Sequence, residues 1–487
     1  MNLVDVLLRA GGADVPALIG ERRATTYAEL GDAVGRLGAS LLEQGVEPGD
    51  RVAIASDDDE AFVVAYLGVL HVGGVAVPLN PLAPPDELGR QLASVAPRLS
   101  LAAGPAQGML SATGATVVRV DIDALPGDPV ARVERAVDDV AVLLFTSGTA
   151  GAPKAAMLTH GNLTSNIRQV NDHPGLHLTA DDRSLGVLPF HHVFGLNVAL
   201  GVTLAAGGTV VLGGRFDPGA SARLAREHSV TVVAGVPTMF AAWLDLDEAA
   251  APRDAFASVR LAVSGAASLP PVVATGFHQR FGVVVHQGYG LTEAAPIVTT
   301  TALHDAAPLP GSIGPVLPGV EVRVVDADGT DVLAGDPGEI WVRGPNVFPG
   351  YWHDQEATAR VLTPDGWLRT GDVAVVEGDD LRLVDRVKDL IIVSGFNVYP
   401  VEVEDVLRAQ PDIADAAVVG EPSVRTGEAV VAYVVPTPGN TPDVGALGIT
   451  CAHALARYKC PSRIEIVEQL PRSVAGKLVR RELRITP

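Results

Sequence analysis

A chain of 487 residues exceeds the length, about 250–300 residues, at which a single core stops growing, so it divides into a large body and at least one smaller unit. Its 36 basic and 57 acidic residues give a net charge of −21, which sets the surface against nucleic acid and anionic membrane and leaves any anionic ligand to local donors. Two cysteines, Cys451 and Cys460, lie outside any C-x-x-C or His/Cys spacing, which excludes a disulfide framework and points to a reducing cytoplasm.

In chain order, Met1 to Ala10 carries one arginine and a brief apolar patch before Gly11-Gly12, unlike a secretory signal. Ala61 to Leu79 is nearly all apolar, but His71, Gly73-Gly74 and Pro78 interrupt it, so it reads as a buried helix, a glycine turn and a strand rather than a membrane span. Strands are predicted at Arg51–Ala55, Val75–Val77, Val140–Phe145, Thr209–Leu212, Val230–Ala234, Val259–Val263 and Val283–His286, alternating with helical patterns as α/β architecture requires. Leu70-His-Val-Gly-Gly-Val-Ala-Val77 recurs as Leu204-Ala-Ala-Gly-Gly-Thr-Val-Val211, which suggests two related α/β subdomains. From about Gly311 the pattern becomes alternating strands between Gly/Pro/Asp turns, the mark of a small antiparallel or barrel-like unit. Beyond Asp385 a small α+β unit is predicted: a strand at Leu390–Val393, a glycine loop, a helix at Val401–Ala409, strands at Asp415–Val419 and Ala429–Val435, and a helix ending near Tyr458.

Chemistry concentrates in a few segments. Thr146-Ser-Gly-Thr-Ala-Gly-Ala-Pro-Lys154 follows a buried strand and offers hydroxyls and backbone N–H groups to phosphate oxygens. Alone it reads equally as a polar surface loop, and it is not a P-loop, because no Ser or Thr follows the lysine. Gly476-Lys477 sets a lysine on a glycine turn far downstream. Gln287-Gly-Tyr-Gly-Leu-Thr-Glu293 reads either as a glycine turn with a capping Thr-Glu or as a nucleotide segment, with Tyr289 against a base and Thr292 and Glu293 toward phosphate and Mg²⁺. Leu368-Arg-Thr-Gly-Asp372 ends in a residue type that accepts hydrogen bonds from a ribose diol. Asp385-Arg-Val-Lys-Asp389 leads to Ser394-Gly-Phe-Asn-Val-Tyr-Pro400.

In this order the segments resemble those of the adenylate-forming superfamily of acyl-CoA synthetases, peptide-synthetase adenylation domains and luciferase-like enzymes. The likeness runs from Thr26-Tyr-Ala-Glu-Leu30 to Pro471-Arg-Ser-Val-Ala-Gly-Lys477. It implies a large N-terminal domain, residues 1–385, of two α/β subdomains plus a small β-barrel-like unit. A hinge at 386–388 and a mobile α+β lid, residues 389–487, follow. The resemblance assigns Thr146, Ser147, Gly148, Thr149 and Lys154 to the phosphate loop, and Ser264, Gly265, Ala266 and Ala267 to the adenine wall. Gly288, Tyr289, Gly290 and Thr292 go to the nucleotide, Asp372 and Arg386 to the ribose, and Glu293 to Mg²⁺. His192, in Pro189-Phe-His-His-Val-Phe-Gly195, would border the acyl carboxylate; read without the family it is a hydrogen-bonded core histidine. Lys477 would be the adenylation lysine, Lys388 the hinge, and Ser394 and Gly395 the lining of the pantetheine tunnel.

The implied reaction is attack of a carboxylate on the α-phosphorus of ATP with loss of pyrophosphate, then thiol attack by CoA, with Lys477 withdrawing by rotation about Lys388. Loading of a separate carrier protein is the alternative second step. Two residues depart from the family loop, Ala150 for a hydroxyl residue and Ala155 for glycine, which predicts the loss of one phosphate contact. Ile392 stands where luciferases carry a lysine. No carboxylate accompanies His191-His192-Val193-Phe194, and Gly288 replaces the arginine of dicarboxylate-specific relatives. An acid without an amino group is therefore expected, fatty or aryl, against the apolar candidates Phe194, Val236 and Ala294.

Overall fold

A computed structural model describes residues 1–57, 59–146, 154–267, 269–302, 312–326, 328–336, 338–386, 391–398, 400–471, 480 and 483. Two mainly parallel sheets form the large body. In the first, Val285–Gly290, Leu261–Ser264, Val232–Gly235, Arg183–Gly186, Thr209–Leu212 and Pro16–Ile19 lie side by side and parallel. Ile297–Thr300 and Ala24–Thr26 close its edges antiparallel. The second runs Val117–Arg119, Leu99–Ala103, Arg51–Ser56, Val75–Pro78, Val140–Thr146 and Lys154–Thr159, parallel except for the last pair. The central strands are buried along their whole length, as parallel strands covered by helices on both faces must be.

The apolar run resolves as read: helix Asp59–His71, buried on all sides from Glu60 onward, then a turn into Val75–Pro78. Its counterpart enters Thr209–Leu212 through the same Gly-Gly turn, and Gly73 and Gly207 hold φ of 77° and 78°, values that cost a side chain but not glycine. Each turn feeds an interior strand of its own sheet, so the internal repeat is real in the fold.

Three strands start later than expected. Val230 and Val259 are apolar, but their amides donate to Ala225 O and Phe256 O, closing the preceding helix and turn, so the strands begin at Val232 and Leu261. The third runs Val285–Gly290 and absorbs Gln287 to Gly290, which were expected to follow it, because antiparallel pairing with Ile297–Thr300 extends it. The unit beyond residue 311 is a five-stranded antiparallel sheet, and its outer strands, Ser312–Gly314 and Glu321–Val325, do not pair with each other among the described residues.

Residues 391–466 have a core of their own under the hairpin Ile413–Ser423 and Gly427–Pro436. Helix Pro400–Arg408 covers it, and helix Val444–Ala454 stops short of Tyr458, which lies in a 3₁₀ turn, Arg457–Lys459. Both cysteines are free.

Below the eight-stranded sheet, Trp243 packs edge-on to Phe216, Phe240 and Phe256 and donates its indole N–H to Ser221 Oγ at 2.9 Å. Replacing this fully buried ring leaves a cavity and takes one donor from Ser221 Oγ, which still donates to Asp217 O. Trp243→Ala is expected to cost about 3–5 kcal/mol in denaturant unfolding; a loss below about 1 kcal/mol would contradict this packing.

Candidate active site

Parallel strands deliver their carboxyl ends to one rim, where α/β sheets bind ligands. Here that rim opens into a cavity of about 1120 Å³. Strand Leu261–Ser264 delivers Ser264, Gly265 and Ala266; the two latter line the cavity, and Ser264 Oγ is buried with no hydrogen-bond partner. Ala266 holds φ of 66°, uncommon outside glycine. Strand Val285–Gly290 alternates its burial, so Gln287 and Tyr289 turn inward. Gln287 is locked by Leu269 N–H and Ser312 O, each at 2.6 Å. Tyr289 donates its hydroxyl to Asp372 Oδ2 at 2.9 Å, and Asp372 faces Arg386 in strand register. Gly288, Gly290 and Thr292 also line the cavity.

The hairpin of the second sheet brings Thr146 and Lys154 together as cross-strand partners at the cavity wall. Thr146 Oγ1 donates to Lys154 O at 3.5 Å. Ser147, Gly148, Thr149 and Ala150 lie outside the described residues, as do Lys388 and Lys477. Ala155 is explained by its place in the strand: it pairs with Phe145, is 5% exposed, and its carbonyl accepts from Trp352 N–H. A glycine there would weaken the strand.

Tyr351, unremarked in the sequence, joins two candidates. It donates its hydroxyl to Glu293 Oε1 at 2.6 Å, and Lys154 Nζ lies 5.3 Å from its ring centroid, a cation–π contact. Its one signal, an aromatic after Pro349-Gly350, is too common to single out. Among the described residues no group of three or more His, Cys, Asp or Glu forms a metal cage. A carboxylate such as Glu293 beside a phosphate loop still fits Mg²⁺, which takes one or two carboxylates and completes its shell with water and substrate phosphates.

His191 and His192 occupy the turn before the π-helix Phe194–Val202, with ring centroids 4.5 Å apart. Nε2 of each is buried without a hydrogen-bond partner, a cost of about 1–3 kcal/mol that a bound polar group would recover. The expectation that His192, outside its family role, is a hydrogen-bonded core histidine therefore fails. Burial, with the Lys459 charge adding to it, lowers the His192 pKa to about 4. Burial and then His192 hold His191 well below the ordinary value. Both rings are neutral at neutral pH.

The hairpin Ile391–Val393 and Phe396–Val398 brings Ser394 and Gly395 to the opposite wall. A Cβ at Gly395, whose φ is 82°, would fall 2.5 Å from Val236 Cγ1, so this approach needs glycine. Phe396, not singled out in the sequence, stacks on Tyr458 at 4.4 Å and reaches the His192 ring at 5.0 Å. Phe194 and Val236 line the cavity. Ala294 does not: Thr292 and Glu293 turn toward the cavity, while Ala294 is fully buried with its carbonyl held by Asn346 Nδ2 at 2.8 Å.

The family model for AMP-binding enzymes matches residues 9–352, and that for the AMP-binding enzyme C-terminal domain matches residues 402–477. The chain belongs to the AMP-binding enzyme family. It is 40% identical over 472 residues to a feruloyl-CoA synthase of Amycolatopsis sp, covering 95% of this chain and 94% of that one. It is 36% identical over 522 residues to a long-chain-fatty-acid–CoA ligase of Yersinia pestis, covering 97% and 92%. The solved amide bond synthetase McbA of Marinactinospora thermotolerans superposes with a TM-score of 0.90 at 32% identity, over 99% of both chains. As a member of this family the protein is an AMP-forming acid–thiol ligase of the acyl-CoA synthetase type, using ATP, Mg²⁺ and CoA.

Because the folded His192 pKa lies below the unfolded value near 6.5, the folded state's preference for the neutral ring makes a pH-linked contribution to stability that is fully present above that value. This contribution is lost as pH falls toward about 4. Histidine-selective NMR, with His192→Gln to assign the signal, is expected to find the pKa lowered to about 4; titration near the free value would contradict the buried environment.

Proposed function

We propose that this AMP-binding enzyme activates a fatty or aryl carboxylic acid as its acyl-AMP and transfers the acyl group to CoA. The observation that carries this reading is the meeting, around one cavity, of the phosphate-loop ends Thr146 and Lys154, the Tyr289–Asp372 pair, Glu293, and an apolar wall of Phe194, Val236, Met239 and Val263 beside Gly288. The neutral histidines and the apolar wall favour an acid without an amino group, and the likeness to feruloyl-CoA synthase and long-chain ligases supports the aryl or fatty class.

In the first half-reaction a carboxylate oxygen of the substrate bonds to the α-phosphorus and pyrophosphate leaves with its bonding electron pair. Two anions must meet, so the protein's task is positioning and neutralisation. Lys154, Thr146 and the loop residues Ser147, Gly148 and Thr149 hold the phosphates in this reading, and Lys477 neutralises the approaching carboxylate. Ser264, Gly265, Ala266, Gly288, Tyr289, Gly290 and Thr292 hold the adenosine side, with Asp372 and Arg386 at the ribose. Mg²⁺ at Glu293, when bound, lowers the charge on the phosphates. His192 offers a neutral imidazole to the acyl carboxylate.

In the second half-reaction the CoA thiol, giving up its proton, bonds to the acyl carbon, and AMP departs with one oxygen of the original carboxylate. Ser394 and Gly395 border the thiol's path. The exchange of Lys477 for that loop is a rotation of residues 389–487 on the body 1–385, about Lys388 in the 386–388 hinge. We take the protein to be cytoplasmic, consistent with its free cysteines, and no helix among the described residues is long and apolar enough to cross a membrane. The named relatives give no support to loading of a carrier protein. The likeness to an amide bond synthetase makes an amine the second candidate acceptor.

A panel of aryl and fatty acids, scored for pyrophosphate release and for thioester with CoA or amide with an added amine, tests the reading. Acid-dependent pyrophosphate release with CoA thioester is expected; amide without thioester would replace CoA by an amine, and no release with any acid would refute the activity. Lys477→Ala is expected to abolish adenylation while a preformed acyl-adenylate still yields thioester. Equal loss of both steps in a folded variant would refute its assignment to the first.

A further inference from the structure

Besides the hairpin that carries Gly395 and Phe396 to the cavity, residues 391–466 meet the large body at helix Pro85–Val95 around a buried cation, Lys459. Lys459 Nζ donates to Glu87 Oε1 at 3.1 Å and to Glu402 Oε1 at 2.9 Å. Glu87 Oε2 accepts the Ala456 amide at 2.8 Å, and Arg90 on the next turn donates to Ala454 O at 2.9 Å. The three ionic side chains expose 7%, 5% and 11% of their surface, for Lys459, Glu87 and Glu402 respectively. Burial disfavours the Lys459 ammonium, but the neighbouring Tyr458 hydroxyl, the Glu87 and Glu402 carboxylates and the hydrogen bond to Glu402 outweigh it and hold its pKa above the ordinary lysine value.

A buried ion set of this kind is poor at adding net stability and strongly penalised when one member is removed. Its place in the molecule is more informative than its strength. Glu402 lies on the same unit as Lys459 and travels with it. The bonds to Glu87 cross between the units. From Lys459 the path to the reacting centre is short: the adjacent Tyr458 stacks on Phe396 with planes 26° apart, and Phe396 rests against His192. The same hairpin carries Gly395 against Val236.

We propose that Glu87 and Lys459, with Glu402 as the lysine's resident partner, form a clamp that seats Tyr458 and Phe396 against His192 for the thiol-transfer step. Lys459 is then a positioning residue, engaged in that step and released in adenylation. The proposal rests on the two-step reading above and adds to it the bond that selects between the steps.

Glu87→Gln removes the charge facing Lys459 while keeping an acceptor for Ala456, and Lys459→Met removes the cation at similar length. Three measurements on each variant and on the unaltered protein test the clamp. Thioester formation from preformed acyl-adenylate and CoA is expected to slow about tenfold or more, because one member of a buried charge set is lost. Acid-dependent pyrophosphate release is expected to stay within about twofold, as the clamp is open in that step. Amide exchange over residues 394–398 and 454–460 is expected to quicken. Parallel loss of both half-reactions, or thiol transfer at the original rate, would overturn the clamp. If the unaltered protein itself released no pyrophosphate with any acid, the proposed function would fall, and the exchange measurement alone would decide the clamp: unchanged exchange overturns it, faster exchange supports it.

Discussion

The site depends on a constraint of parallel sheets: strands joined by right-handed crossovers all end on one side. Arg183–Gly186, Val232–Gly235, Leu261–Ser264 and Val285–Gly290 are neighbours in one sheet, and the segments that leave them supply His192, Val236, Gly265 and Thr292 to one cavity. The second sheet contributes a hairpin, Thr146 against Lys154, and the antiparallel sheet contributes Asp372. The hydrogen bond from Tyr289 to Asp372 ties that third sheet to the rim of the first. Chemistry drawn from residues hundreds of positions apart is in this way a direct result of sheet topology.

Charge explains how an acidic protein takes anionic substrates. With a net charge of −21, the molecule offers no general attraction to ATP or a carboxylate. Its donors are local. Lys154 lies over the Tyr351 ring, while the two cavity histidines are held neutral by burial and contribute hydrogen-bonding capacity without charge. Lys459 is buried against two carboxylates at the seam between the units, which makes it a structural charge rather than a substrate-binding one.

What the sequence made legible was whatever repeats or punctuates. The helix, Gly-Gly turn and strand at 59–78 and again at 194–212 were readable because glycine and apolar periodicity are local signals. So were the ordered motifs, and their cavity-lining members Thr146, Lys154, Tyr289, Thr292, Glu293 and Asp372 do converge. Strand starts at Val232 and Leu261 were misplaced because the preceding valines, Val230 and Val259, are apolar yet spend their amides on the elements before them. Ala294 was read as cavity wall from its neighbourhood, though a 3₁₀ turn points it away. Tyr351, Phe396, Glu87 and Lys459 left no mark in the sequence because their roles exist only in pairs formed across the fold.

The central claim is that the substrate carboxylate itself attacks the α-phosphorus, and oxygen labelling tests it most directly. Acid labelled with ¹⁸O in its carboxyl group, turned over with ATP and CoA, is predicted to leave one labelled oxygen in AMP and none in pyrophosphate, as read by mass spectrometry. Unlabelled AMP, or label appearing in inorganic phosphate together with ADP, would contradict the account.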